Sequence, residues 1–210
     1  FSIVSYTGTA ANATVGHGLS VAPEMVIVKR RNAANDWFVY NHTLGNTKVL
    51  YLDLTNAAET YSTNWNNTTP TSSVFSIGTA GGVNTNTGTY IAYAFHSVDG
   101  YSKVGSYTGN GALDGTFIYT GFKPAYVLTK FTTGGEPWMI HDAARSTYNV
   151  MDDTLSSNSS AVESTSSSNN VDFLSNGFKQ RYNSGALNSS GSIYIYIAFA
   201  ESPFKYSNAR

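Results

Sequence analysis

The side chains able to do acid–base or nucleophilic chemistry are few and poorly spaced for it. Asp152, Asp153 and Glu163 are the nearest thing to the carboxylate pair of a glycoside hydrolase. Adjacent carboxylates in an extended chain point to opposite faces, which defeats a shared site. His141 and Asp142 fail as an acid–base dyad for the same reason. No Gly-X-Ser-X-Gly elbow occurs, and no two histidines stand at metal-ligand spacing. The stretches Gly78-Thr79-Ala80-Gly81-Gly82 and Gly109-Asn110-Gly111 lack a following helix or Lys-Ser/Thr, so they read as turns and not as phosphate loops. Cysteine is absent, which removes thiol nucleophiles, thiolate metal sites and disulfides together. The expectation is a protein that is not an enzyme and carries no cofactor or metal.

Binding chemistry has better candidates. Trp65, Asn66 and Asn67 sit in a polar loop, and the expectation is that Trp65 is exposed there and contacts a ligand. Trp37 and Trp138 each head an apolar strand and have the flat ring that stacks on a pyranose. Their recurrence at strand spacing favours the plainer role of core aromatics between sheets.

That recurrence extends to the whole chain. Ser5-Tyr6-Thr7-Gly8 returns as Ser106-Tyr107-Thr108-Gly109, an offset of 107 − 6 = 101, and the same step takes Pro23 to Pro124 and Trp37 to Trp138. Further on the step becomes 104, pairing Glu59 with Glu163, Asn84 with Asn188 and Phe95 with Phe199. Phe75 and Phe178 differ by 103. An ordered match of this length is a tandem duplication. The expected units are residues 1–98 and 99–204, followed by a tail at 205–210. His17, His42, His96 and Asp36 have no His or Asp counterpart in the second copy, whereas Tyr, Trp, Pro, Gly and aliphatic positions do. The repeat therefore preserves a scaffold, with Trp37, Trp138, Pro23, Pro124, Phe95 and Phe199 as its structural core.

Each copy reads as short apolar strands cut by Gly/Asn/Ser/Thr turns, the pattern of a sandwich or barrel. Residues 48–54 alternate most clearly. Helical turns are expected only within 55–63 and 143–154, and the Ser/Asn/Thr-rich segment 155–170 reads as a long loop or an insertion touching a partner. The fold class is all-β: two tandem homologous antiparallel β-sandwich (jelly-roll-like) units. Charged residues make up 12 % and the net charge is −1, so there is no electrostatic footprint for nucleic acid. No apolar run approaches the roughly 20 residues of a membrane-spanning helix, so membrane insertion is not expected. Six Asn-X-Ser/Thr triplets, at Asn12, Asn41, Asn66, Asn67, Asn158 and Asn188, are read as products of composition and not as glycosylation sites. The chain opens at Phe1 without a methionine, which points to an excised or processed piece of a longer protein.

The repeated motifs carry a resemblance. Tyr107-Thr108-Gly109, Gly121-Phe122-Lys123-Pro124, Lys130, Trp138, Asn176-Gly177-Phe178, Leu187-Asn188, Gly191, Tyr194 and Ala198-Phe199-Ala200 form one ordered set. It resembles the repeated β modules of tail-fibre and other virion proteins of tailed bacteriophages. The first copy departs from it, with Ser73-Val74-Phe75 in place of Asn-Gly-Phe. The resemblance implies a lectin-like, non-enzymatic sandwich in the virion, an extracellular phage particle. Its partners would be other virion proteins and a host cell-surface glycan or receptor. The resemblance also implies a homo-oligomer, a trimer if the part is a fibre. The competing expectation is a purely structural virion or capsid-decoration module that binds only other virion proteins.

Overall fold

The computed structural model describes residues 1–204; the tail expected at 205–210 lies outside the described residues. The chain divides into two compact units, Phe1–His96 and Ser97 onward. The division falls two residues before the boundary expected from the repeat.

In the first unit the elements are β1 (Ser2–Thr7), β2 (Ala13–Gly16), β3 (Met25–Arg30), β4 (Trp37–Asn41), β5 (Lys48–Tyr51), β6 (Glu59–Thr60), α1 (Ser62–Trp65), β7 (Val74–Ile77), α2 (Gly81–Asn84) and β8 (Thr89–Phe95). Six strands make an antiparallel sheet in the order β1-β8-β3-β4-β5-β6, and β2 pairs with β7 as a second layer. The interior between the layers takes Val26, Val28, Tyr40 and Ala92 from the large sheet and Val15, Phe75 and Ile77 from the small one. Alternation explains the sorting. In β8, Tyr90, Ala92 and Ala94 turn inward while Ile91, Tyr93 and Phe95 turn to the other face.

The second unit runs β9 (Ser102–Thr108), β10 (Phe117–Tyr119), β11 (Pro124–Phe131), β12 (Trp138–Asp142), β13 (Asp153–Ser156), β14 (Ser164–Thr165), β15 (Val171–Leu174), β16 (Gly177–Gln180) and β17 (Ile193–Ala200). Its six-stranded sheet has the order β9-β17-β11-β12-β13-β14, which is that of the first unit strand for strand. Registers agree as well: Tyr6 faces Tyr90 and Tyr107 faces Tyr194, while Lys29 faces Trp37 and Lys130 faces Trp138. The smaller layer differs. It gains β15, giving β10-β16-β15.

One polar cluster recurs in both units. Tyr6 and Tyr90 stack at 5.0 Å and 10°, and Tyr107 and Tyr194 at 5.0 Å and 12°. Tyr6 Oη donates to Val83 O at 2.7 Å, as Tyr107 Oη does to Leu187 O. Tyr90 Oη donates to Gly81 O and accepts from Thr85 N, both at 2.8 Å; Tyr194 Oη does the same with Gly185 O and Ser189 N. Asn84, wholly buried, accepts from Thr9 N and donates to Ala11 O and Gly78 O, each at 2.7 Å. Asn188 accepts from Asn110 N and donates to Ala112 O. Burial, then the neighbouring tyrosine, pushes the phenols of Tyr6 and Tyr107 far up, so both remain protonated donors. The Tyr-Thr-Gly motif follows from this cluster, because a Cβ on Gly8 would stand 2.2 Å from Thr85 O and one on Gly109 2.3 Å from Ser189 O.

A second repeated device closes the hairpin between the third and fourth strands. The Lys29 ammonium donates to Asn35 O, and the Lys130 ammonium to Glu136 O at 2.6 Å. Lys130 is fully buried, which pushes its pKa down to about 8 against the pull of Glu136. Trp37 N donates to Asp53 Oδ1, and Trp138 N to Asn158 Oδ1, both at 2.9 Å. The strand expected over 48–54 therefore stops at Tyr51, and Asp53 turns in as an acceptor. Segment 155–170 is not one long loop: it supplies Asn158 and the edge strand β14. Helical content also moves from where it was expected. Residues 143–154 form turns leading into β13, and Gly81–Asn84, read as a turn, is a one-turn helix. The strand registers align Glu59 with Ser164 and not with Glu163.

Two predictions follow from these contacts. Asn84→Ala and Asn188→Ala should each cost about 2–4 kcal/mol in urea unfolding, since each leaves two or three backbone groups at the unit's closure without their partner. A loss below 1 kcal/mol would dismiss the cluster as an organising feature. His141 is the pH-sensitive position. It is buried, its Nε2 donates to Asn169 O at 2.6 Å, and its Nδ1 has no hydrogen-bond partner. Burial, with Arg145 adding to it, pushes its pKa down to about 4. The unfolded chain, with imidazole near 6.5, takes the proton first. The stabilisation is thus complete above pH 6.5 and is lost as pH falls toward 4, by about 3 kcal/mol. Chemical denaturation at pH 7 and 4.5 should show this slope, and His141→Phe should flatten it.

Candidate functional site

Of the three residues expected to bind ligand, Trp65 is placed otherwise than its sequence context suggests. Trp65 is 2 % exposed; its ring meets Tyr40 edge-on at 5.9 Å, and its Nε1 donates to Lys48 O at 3.0 Å. It plugs the first unit's interior and is corrected from contact residue to core. The reason is the turn of α1, which swings the ring inward while Asn66 and Asn67 complete the reversal at positive φ (50° and 47°). Those two asparagines are exposed.

The repeated aromatic positions also need correction. Phe38 and Met139 point into the interiors, so the flanking Trp37 and Trp138 lie on the opposite face of their sheets and not between the layers. Trp138 is wholly buried there, whereas Trp37 is half-buried against Tyr93, with the Lys29 ammonium 5.5 Å from its ring. Phe95 and Phe199, expected in the core, are half-buried at the ends of β8 and β17. Phe95 packs on Phe1 at 4.9 Å and Phe199 on Tyr126 at 6.1 Å. Pro23, two residues before β3, and Pro124, the first residue of β11, are both buried.

What α1 does build is a cleft beside itself. Gly78 N donates to Asn64 O at 2.8 Å and Ala80 N to Thr63 O at 3.0 Å, which stitches the α1 and α2 loops together. Close approach demands glycine at 78, where a Cβ would stand 2.1 Å from Thr63 O. Beneath the stitched loops Phe38 and Tyr51 meet edge-on at 5.2 Å, and the absent side chain of Gly82 leaves room for the Phe38 ring. Tyr61 forms the outer wall and is 47 % exposed. The cleft holds about 220 Å³, with Thr63 and Asn64 supplying polar lining. That is less than the roughly 300–1,000 Å³ of a drug-sized pocket, so it takes one ring and not a large ligand.

The electrostatics of the cleft are quiet. Tyr51 Oη donates to Glu59 Oε2 at 3.2 Å, and Asn56 Nδ2 donates to Glu59 Oε1 at 2.7 Å. Burial, followed by Glu59, pushes the Tyr51 phenol up, so it stays neutral. The arrangement presents aromatic walls, hydroxyls and an amide, the groups for stacking and neutral hydrogen bonds. Among the described residues no three His, Cys, Asp or Glu side chains cluster as metal ligands. The sequence carried a signal for this site. Register places Met139, Ser156 and Ser166 in the second unit where the first has Phe38, Tyr51 and Tyr61. Trp65 is the more conspicuous residue in the sequence, but these unmatched aromatics are the signal of the cleft.

The reassignment is testable by urea unfolding. Trp65→Ala should cost about 3–5 kcal/mol and Tyr61→Ala less than about 1 kcal/mol. The reverse order would restore Trp65 as a surface residue.

Comparison with known proteins adds a family and no more. No curated protein and no solved structure matches the chain. One family model, described as a domain of unknown function (DUF7483), matches residues 1–203. A match over nearly the full length, spanning both units of the duplication, makes the chain a member of the DUF7483 family.

Proposed function

We propose that the chain is a virion-associated β module, of a tail fibre or a related part, that attaches to a glycan or other receptor on a host surface. The observation that carries this reading is the aromatic cleft of Phe38, Tyr51 and Tyr61. The fold does not require those rings, because the second unit builds the same sheet with Met139, Ser156 and Ser166. Rings kept at a part-exposed cleft beside neutral donors suit the apolar face and hydroxyls of a sugar. The motif resemblance to phage virion modules supplies the biological setting.

Contacts of this kind are individually weak, so one cleft should bind a monosaccharide unit with Kd around millimolar, near −4 kcal/mol. Several copies on one particle would raise this by avidity. The test is a glycan array, followed by titration of the strongest ligand at low and high salt. Binding should be nearly independent of salt, given the net charge of −1. Tyr61→Ala should weaken it about tenfold with unchanged unfolding, and no new reducing ends should appear. Released oligosaccharide would overturn the non-enzyme reading. Absence of any binding would shift the function to a purely structural virion module.

A further inference from the structure

The second unit's smaller layer carries a surface that the first unit lacks. In β10, Ile118 points inward while Phe117 and Tyr119 alternate outward, 43 % and 66 % exposed. Register sets Phe117 beside Lys179 and Asp172, and Tyr119 beside Gly177 and Leu174, so these six residues share one outward face in two rows. Gly177 lets β10 and β16 approach closely, since a Cβ there would stand 2.1 Å from Ile118 O. The edge of the Phe117 ring comes within 3.1 Å of that same point, so the ring leans over the central strand. The charged groups are held in place by one another. Lys179 Nζ lies 2.5 Å and Arg181 Nη1 3.8 Å from Asp114 Oδ1, and Arg181 Nε lies 3.3 Å from Asp172 Oδ2.

None of this is required by the fold. The first unit pairs β2 and β7 in the same register, with Thr14 and Gly16 in place of Phe117 and Tyr119, and Val74 and Ser76 in place of Gly177 and Lys179. The rings are too few for a protein partner: two aromatics bury at most about 150–250 Å² each, well short of the roughly 800 Å² per side of a stable interface. Two cations and two carboxylates balance, so the rim favours neither polyanion nor polycation. Rings two residues apart on a strand stand about 6.6 Å apart, close enough for one extended ligand chain to lie across both.

We infer that the Phe117–Tyr119 face is a second binding platform, separate from the Tyr61 cleft, for a neutral glycan chain. The two rings stack on the sugar faces, and Lys179, Arg181, Asp114 and Asp172 hydrogen-bond the hydroxyls. The experiment is affinity electrophoresis of the whole chain through gels containing dextran, a neutral β-glucan, a neutral galactomannan or, as polyanion, alginate. Retardation by at least one neutral polymer is expected. The double variant Phe117→Ala/Tyr119→Ala should weaken it about tenfold, while Tyr119→Phe keeps it. Tyr119→Ala alone, at the most exposed ring, provides the same reading if the double variant folds poorly. Equal retardation of wild type and these alanine variants overturns the platform, as does retardation by alginate alone or by none of the polymers. Loss with Tyr61→Ala but not with the β10 variants would leave the cleft standing and remove the platform.

Discussion

The stacked tyrosine pair with its buried asparagine is the constraint on which each unit depends. An antiparallel sheet whose first and last strands are neighbours, β1 beside β8 or β9 beside β17, must bring the unit's two ends back together across everything between. Strand pairing alone fixes that return along the strands. The loops beyond the strand ends still carry backbone groups that no strand partner satisfies. Asn84 and Asn188 satisfy them from one amide, and the tyrosine hydroxyls hold the turn that positions each asparagine. The glycines at 8 and 109 are consequences of this closure, not independent motifs.

Duplication has kept that closure and relaxed elsewhere. The hairpin lysine survives at 29 and 130, and so does an acceptor for the tryptophan amide, though as Asp53 in one copy and Asn158 in the other. Leu19 N is held by the Nδ1 of a buried His17 in the first unit, and Phe122 N by the Thr120 hydroxyl in the second. The same backbone need is met by different chemistry. Surface aromatics follow neither copy's template: one unit places them around α1, the other along β10. Where the first unit inserts α1, the second extends its smaller layer with β15, so the segment preceding β7 and β16 is the part of the scaffold that tolerates change.

The duplicated scaffold was readable because its causes are local and repeated: Tyr-Thr-Gly, the proline before an apolar strand, the lysine facing a tryptophan. What was not readable were facts of direction. Whether Trp65 points in or out depends on one turn of helix whose cap is an asparagine at positive φ, and polar composition concealed this. The recurrence of Trp37 and Trp138 marks them as scaffold, but strand alternation puts them on the face away from the interior, as their neighbours Phe38 and Met139 reveal. The cleft at Tyr61 is formed by residues from β4, β5, α1 and α2, and no spacing rule in one dimension gathers those. Phe117 and Tyr119 were visible as alternating aromatics, yet their meaning needed the neighbouring strand's glycine and ion pairs.

The closing asparagine also leaves no room for a covalent change on its amide. Asn188 begins the triplet Asn188-Ser189-Ser190 and Asn41 the triplet Asn41-His42-Thr43, and both side chains are sealed inside the fold. A eukaryotic secretory pathway attaches a branched oligosaccharide to such triplets while the chain is still emerging, before burial can protect them. A sugar on Asn188 blocks the amide that ties Ala112 and Asn110 together, and the second unit can then no longer shut. A sugar at Asn188 and the folded second unit are therefore mutually exclusive.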